Sequence, residues 1–245
     1  MIDGGINAYH LQYLLFGALW TIGLSLISFV GGGLAGGVIA LCRISPLQPV
    51  RWAAIGWIQL IQGTPLLVVL FLCYFGLSIL GLELPAIVAA SIAMVVYVSA
   101  YLGEIWRGCI ESVPHTQWEA AECLALTRTQ RMRLVVLPQA VRIATPPTVG
   151  FMVQIVKNTS LASIVGFVEL VRAGQLINNS IFQPFTVYLL IAAVYFAMCY
   201  PLSVLSRRLE QRLQAGRAAP AANARVHGAT ANAANATSTS HANAL

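Results

Sequence analysis

Lys157 is the only lysine in the chain, and it stands in a stretch from Ile143 to Val168 that carries no other charge. Gln154, Asn158, Thr159, Ser160 and Ser163 lie close to it in sequence. An ammonium at membrane depth is costly, so it normally faces a partner or a water-filled path. An ammonium beside an amide and a hydroxyl suits a carboxylate, and Glu104, at the end of another apolar stretch, suits a cation. Glu104, Gln154, Lys157 and Ser160 are therefore the candidate lining of a path for a polar solute. Two plainer readings stay open: Lys157 snorkels to an interface, and Glu104 pairs with Arg107 three residues along the same helical face.

The chain has no pattern for bond-making chemistry. A phosphate-binding loop needs a Gly-Lys step preceded by another glycine, and Lys157 is flanked by Val156 and Asn158. There is no HExxH and no GxSxG, and His115 lies alone without a second ligand. Cys42, Cys73, Cys109, Cys123 and Cys199 show no CxxC spacing and read as packing residues. No catalytic residue, metal site or cofactor is expected on this chain.

With 58% hydrophobic and 9% charged residues over 245, the composition excludes a water-soluble domain, where about a quarter of residues are charged. Charge is absent from Leu11 to Cys42, Trp52 to Leu82, Leu84 to Gly103 and Ala173 to Ser206, each long enough for the ~20 residues that cross a bilayer as helix. With the Lys157 stretch, this predicts an all-α polytopic bundle of about five transmembrane helices. No basic segment precedes the first apolar stretch, which reads as a retained anchor rather than a cleaved signal. Arg43 and Arg51, the arginines from Arg107 to Arg142, and those from Arg207 onward fall on one side of a five-span bundle, whereas Asp3, Glu83, Glu169 and Arg172, mostly acidic, fall on the other. The positive-inside rule makes the basic side cytoplasmic and the amino terminus external. The pI near 9.3 then reflects topology, and nucleic acid is not an expected partner.

This reading divides the chain into an external segment, 1–12, a membrane domain, 13–208, and a cytoplasmic tail, 209–245, without order beyond about 216. Span one holds glycines and alanine from Gly31 to Gly37, which let a helix approach closely. Gly63 and Pro65 mark a kink or an unwound break in span two. The cytoplasmic segment 108–142 is patterned as two short helices, with Trp118, Ala121, Cys123, Leu124 and Leu126 as an apolar stripe and Thr127 as the cap of the second. Pro146-Pro147 is placed at the start of span four. The outer connection, Glu169 to Gln183, reads as a re-entrant or surface helix.

A membrane protein with polar groups in broken spans and a structured cytoplasmic segment suggests a transport path worked by an outside energy source. That segment resembles the EAA loop of ABC importer permeases in Glu119-Ala120-Ala121 and Leu137-Pro138, with Ala125 where the family has a bend glycine. The wider chain is similar to the polar amino-acid, or histidine/glutamine permease, subgroup. The resemblance rests on Gly63-Thr64-Pro65-Leu66-Leu67, Ala100-Tyr101 with Glu104, Arg107-Gly108, Leu137-Pro138-Gln139-Ala140 and Lys157-Asn158-Thr159-Ser160-Leu161. Gln62 replaces a common arginine, and His115-Thr116 a basic residue and glycine. The resemblance implies an inner-membrane permease for an amino acid, paired with an identical or homologous permease. Its partners would be a dimer of ABC ATPase subunits, which hold ATP and Mg, a periplasmic amino-acid-binding protein and the lipid bilayer. It assigns ATPase coupling to Glu119, Ala120, Ala121, Ala125 and Leu126. A permease for another small polar solute and a secondary transporter are the alternatives.

Overall fold

The computed structural model describes residues 6–242, with side chains as far as Leu213. The described residues form helices and turns. α1 (Ala8–Arg43) is one unbroken run of mostly apolar and small residues, and it lies along α5 (Ala86–Glu111). Close approach explains the glycines of span one. A Cβ at Gly32 would fall 2.4 Å from Val98 Cγ1, and one at Gly36 would fall 3.0 Å from the Ser99 carbonyl oxygen. The small-residue pattern thus serves packing within this chain.

Between these helices the second span is broken. α2 (Gln48–Gln62) and the segment Leu66–Ile79 meet at 99° across Gly63, Thr64 and Pro65. That segment comprises α3 (Leu66–Phe71), a π-helical turn (Leu72–Gly76) and α4 (Leu77–Ile79). Of the two readings of the sequence here, the bend is a break, too sharp for a kink in a continuous helix. Pro65 supplies no backbone donor, and the Thr64 hydroxyl donates to the Leu60 carbonyl at 2.7 Å. Ile58 and Ile61 of α2 pack with Ala100, and Val69 and Leu70 of α3 with Leu24, Ala90 and Val165.

After α5 come α6 (His115–Cys123) and α7 (Arg128–Gln130), a π-helical turn (Arg131–Val136), α8 (Leu137–Asn158) and a 3-10 turn (Thr159–Val165). The second short cytoplasmic helix is therefore the base of one helical run from Arg128 to Val165. Pro146 and Pro147 lie inside α8, not at the start of a span. Around them Ser206 Oγ donates to the Pro146 carbonyl at 2.9 Å, and Thr145 and Thr148 donate back to Val141 and Ala144, so hydroxyl bonds cluster about the two prolines without replacing the donors they lack. Pro138 stands inside this run, where the π-helical turn passes into α8, and its missing donor coincides with that local change of helix type.

α9 (Leu170–Ile181) packs against α1 and α10 (Pro184–Ala242). A Cβ at Gly174 would lie 2.2 Å from Ile191 Cδ1. The expected disorder beyond about residue 216 falls on a stretch whose backbone alone is described, and there it is helical. Residues 1–5 of the expected external segment lie outside the described residues. Among the described residues four helical runs are long and apolar enough to cross a membrane, and there are five when the bent pair is taken as one span. The all-α polytopic architecture is as expected.

Candidate functional site

α6, at the basic end of the bundle, is a short helix with most of its residues exposed. Its inner face is fixed by packing: Ala121 is 2% exposed, and Trp118 packs on a cluster formed by Ile110, Val113, Val136 and Ala140. Its C-terminus closes as a Schellman motif, with the Leu126 N–H donating to Ala121 O at 3.2 Å and the Ala125 N–H to Glu122 O at 2.8 Å. Ala125 consequently has φ 56°, the left-handed conformation that glycine adopts without cost. Thr127 then caps α7 in a reciprocal box with Gln130, as its position predicts.

Longer-range bonds tie α6 and its bend to the membrane helices. Arg131 pairs with Glu122 at 3.2 Å, Gln139 donates to Gln117 at 3.2 Å, and Arg128 donates to the carbonyl of Ile44 at 3.3 Å. Glu119, Ala120, Cys123 and Leu124 face outward, Leu124 at 74% exposure. The apolar stripe read from the sequence is therefore divided: Trp118 and Ala121 point inward, Cys123 and Leu124 outward, and Leu126 is half-buried.

Glu104 also lies near this end. It accepts from Arg107 Nη2 at 2.6 Å and from Arg43 Nε at 3.4 Å, while Arg107 also pairs with Glu111. The local ion pair that the sequence left open is present, extended by one helix. Gln154, Lys157 and Ser160 sit together elsewhere. Gln154 Nε2 donates to Asn158 Oδ1 at 3.0 Å, and Ser160 Oγ donates to the Lys157 carbonyl at 2.8 Å. The side chains of Gln154 and Lys157 are exposed.

An aromatic ladder, not singled out in the sequence, joins the two levels. Tyr97 and Tyr101 have ring centroids 4.4 Å apart, and Tyr101 stacks on Phe151 at 5.5 Å. Tyr97 also reaches the side chain of Asn158. Glu104 is seven residues along α5 from Tyr97, about 10 Å along the axis. Three of the four candidate path residues thus lie together at the end of α8 and in the turn after it, and Glu104 stands on α5 in its own ion pairs. The i, i+4, i+7 spacing of Tyr97, Tyr101 and Glu104 was the available signal for the ladder.

A second feature missed in the sequence is Glu169, wholly buried. Its carboxylate caps α9, accepting from the N–H groups of Val171 at 3.0 Å and Arg172 at 2.9 Å, and from Tyr195 Oη at 3.0 Å. Gly63 and Pro65 form the exposed corner of the broken span. Among the described residues no group of three or more His, Cys, Asp and Glu could hold a metal.

A bundle of about five crossings that carries a rigidly seated, outward-facing helix between two spans defines a membrane permease component. Residues 32–215 match the family model described as "Binding-protein-dependent transport system inner membrane component", and the chain belongs to that family. It is 38% identical over 200 residues to the "Probable amino-acid ABC transporter permease protein YckA" of Bacillus subtilis (strain 168), covering 82% of this chain and 88% of the relative. It is 36% identical over 198 residues to the "L-cystine transport system permease protein TcyB" of the same organism, covering 80% and 85%. Among solved structures it is similar to a chain of "Crystal structure of an amino acid ABC transporter with histidines", with TM-score 0.81, 33% identity and coverage of 85% of this chain and 99% of that one. Chains of the MetNI methionine ABC transporter, at 16% identity and TM-score 0.66, share the fold.

Proposed function

We propose that this chain is the inner-membrane permease subunit of an ATP-driven importer of amino acids. The single observation that carries the coupling is the seating of α6: its inner face is locked to α5 and α8, and its outer face is uncovered among the described residues. In this reading, Glu119, Ala120 and Leu124 meet a groove on a separate ATPase dimer, which holds ATP and Mg. Ala121, Ala125 and Leu126 hold the helix at the angle that fits.

Closure of the ATPases then moves α6 as a rigid body. The displacement passes through the Glu122–Arg131 and Gln117–Gln139 bonds into α8, whose far end carries Lys157. A second permease, identical or homologous, completes the path, and a periplasmic binding protein delivers the solute to a side that also holds the amino terminus. The exposed Gln154 and Lys157 and the half-buried Ser160 bind the polar solute beside the tyrosine ladder, and Glu104 belongs to the basic end. The Gly63–Pro65 corner exposes backbone to the path, where such breaks are tolerated. The names of the relatives support an amino acid as solute.

The test is uptake of labelled amino acids by proteoliposomes that contain the permease, its ATPase and its binding protein. ATP-dependent uptake is expected, reduced at least tenfold by Lys157→Ala or Gln154→Ala while the ATPase stays bound. Uptake driven by an ion gradient without ATP contradicts the importer, and full uptake by both variants contradicts the path.

A further inference from the structure

Two cavities meet at the basic end of the bundle and share Ile110 as a wall. The first, about 460 Å³, is an almost wholly apolar groove between α1, α5 and α8, lined by Gly37, Leu41, Trp106, Ala140, Ala144 and Val149. Along α8 its lining runs from Leu137 to Val149, about 18 Å of helix, close to the ~15 Å of one leaflet's hydrocarbon. The second, about 330 Å³, lies where α1 leaves the membrane and is lined by Arg43, Arg51, Arg128, Glu111, Ser45 and Trp118.

The charges of the second cavity are unevenly matched. Arg43 leans on Glu104, and Glu111 is taken by Arg107. Arg128 donates to a neutral carbonyl, that of Ile44, and Arg51 forms no ion pair among the described residues. A slot of leaflet depth that ends in surplus guanidinium charge complements one class of molecule, an acyl chain ending in an anionic head group.

We propose that this composite cavity binds an anionic phospholipid. One acyl chain lies along Ala140, Ala144 and Val149, and the phosphate sits between Arg51 and Arg128. Trp106 is held at the groove wall by its indole N–H, which donates to Thr148 Oγ1 at 2.9 Å, so the apolar lining has no free donor there. A lipid in this place touches α1, the turn after it, α8 and the bend following α6. It therefore braces the connection between the coupling helix and the membrane helices from outside the transport path.

Native mass spectrometry of the full chain in detergent, titrated with phosphatidylglycerol or phosphatidylcholine, tests the site. Phosphatidylglycerol is expected to persist as one tightly held molecule per chain, at lower concentration than phosphatidylcholine. Arg51→Gln and Arg128→Gln should each weaken its retention about 5-fold. Ala144→Phe, which fills the groove, should weaken both lipids. Arg51→Gln alters a side chain without an ion partner, so its result is readable even if Ala144→Phe misfolds. Equal retention of the two lipids, or unchanged retention in the double arginine variant, overturns the proposal.

Discussion

Glu104 and Glu169 are the same residue type in the two halves of the bundle, and they are held in opposite ways. Glu104, at the basic end, is half-exposed and ringed by Arg43 and Arg107. Glu169 is buried, has no ion-pair partner among the described residues, and is satisfied by two backbone N–H groups and a tyrosine hydroxyl. Half-exposed ion pairs are screened and individually weak, so they can be exchanged as helices shift. A buried acceptor whose donors come from its own helix and from α10 cannot be released without leaving polar groups unpaired. The difference assigns rearrangement to the basic end and anchorage to the opposite half.

Three substitutions sharpen or break this comparison. Glu169→Ala removes the cap of α9 and the carboxylate that the Tyr195 hydroxyl donates to, and it should cost about 2–3 kcal/mol, read as a marked fall in Tm of the detergent-solubilised chain. Ala125→Gly relieves the left-handed backbone and should add about 1 kcal/mol of stability. A loss of stability in that variant would mean the Schellman bend is not the resting state of the chain. Glu104→Ala should change stability by less than about 1 kcal/mol, with its effect appearing in the coupling of ATP hydrolysis to uptake. A fall in Tm equal to that of Glu169→Ala would erase the distinction between the halves.

The sequence made the spans, the α6 segment and the Thr127 cap legible because each depends on local pattern: charge-free length, a bounded apolar run, and a hydroxyl three residues before a glutamine. Glu169 was hidden for a physical reason. From sequence a glutamate after Val168 reads as an external loop charge, since nothing local reveals that its acceptors meet Tyr195 across the bundle. Pro146-Pro147 misled in the same way, because the packing that seats them is not local: Ser206, which donates to the Pro146 carbonyl, lies 60 residues away. The four candidate path residues were chosen by polarity alone. Polarity alone does not reveal which neighbours a charge meets, and so the Arg43 and Arg107 pairing of Glu104 was only half legible, Arg107 being local and Arg43 on another helix.

The central claim is that α6 is a lever seated by its inner face and gripped by its outer face. The direct measurement is co-purification of the ATPase with Ala120→Arg, a change on the uncovered side, in a chain whose Tm is compared with wild type. Wild-type Tm with at least tenfold less bound ATPase is the predicted result. Full retention of the ATPase in that variant, with uptake intact, would contradict the account.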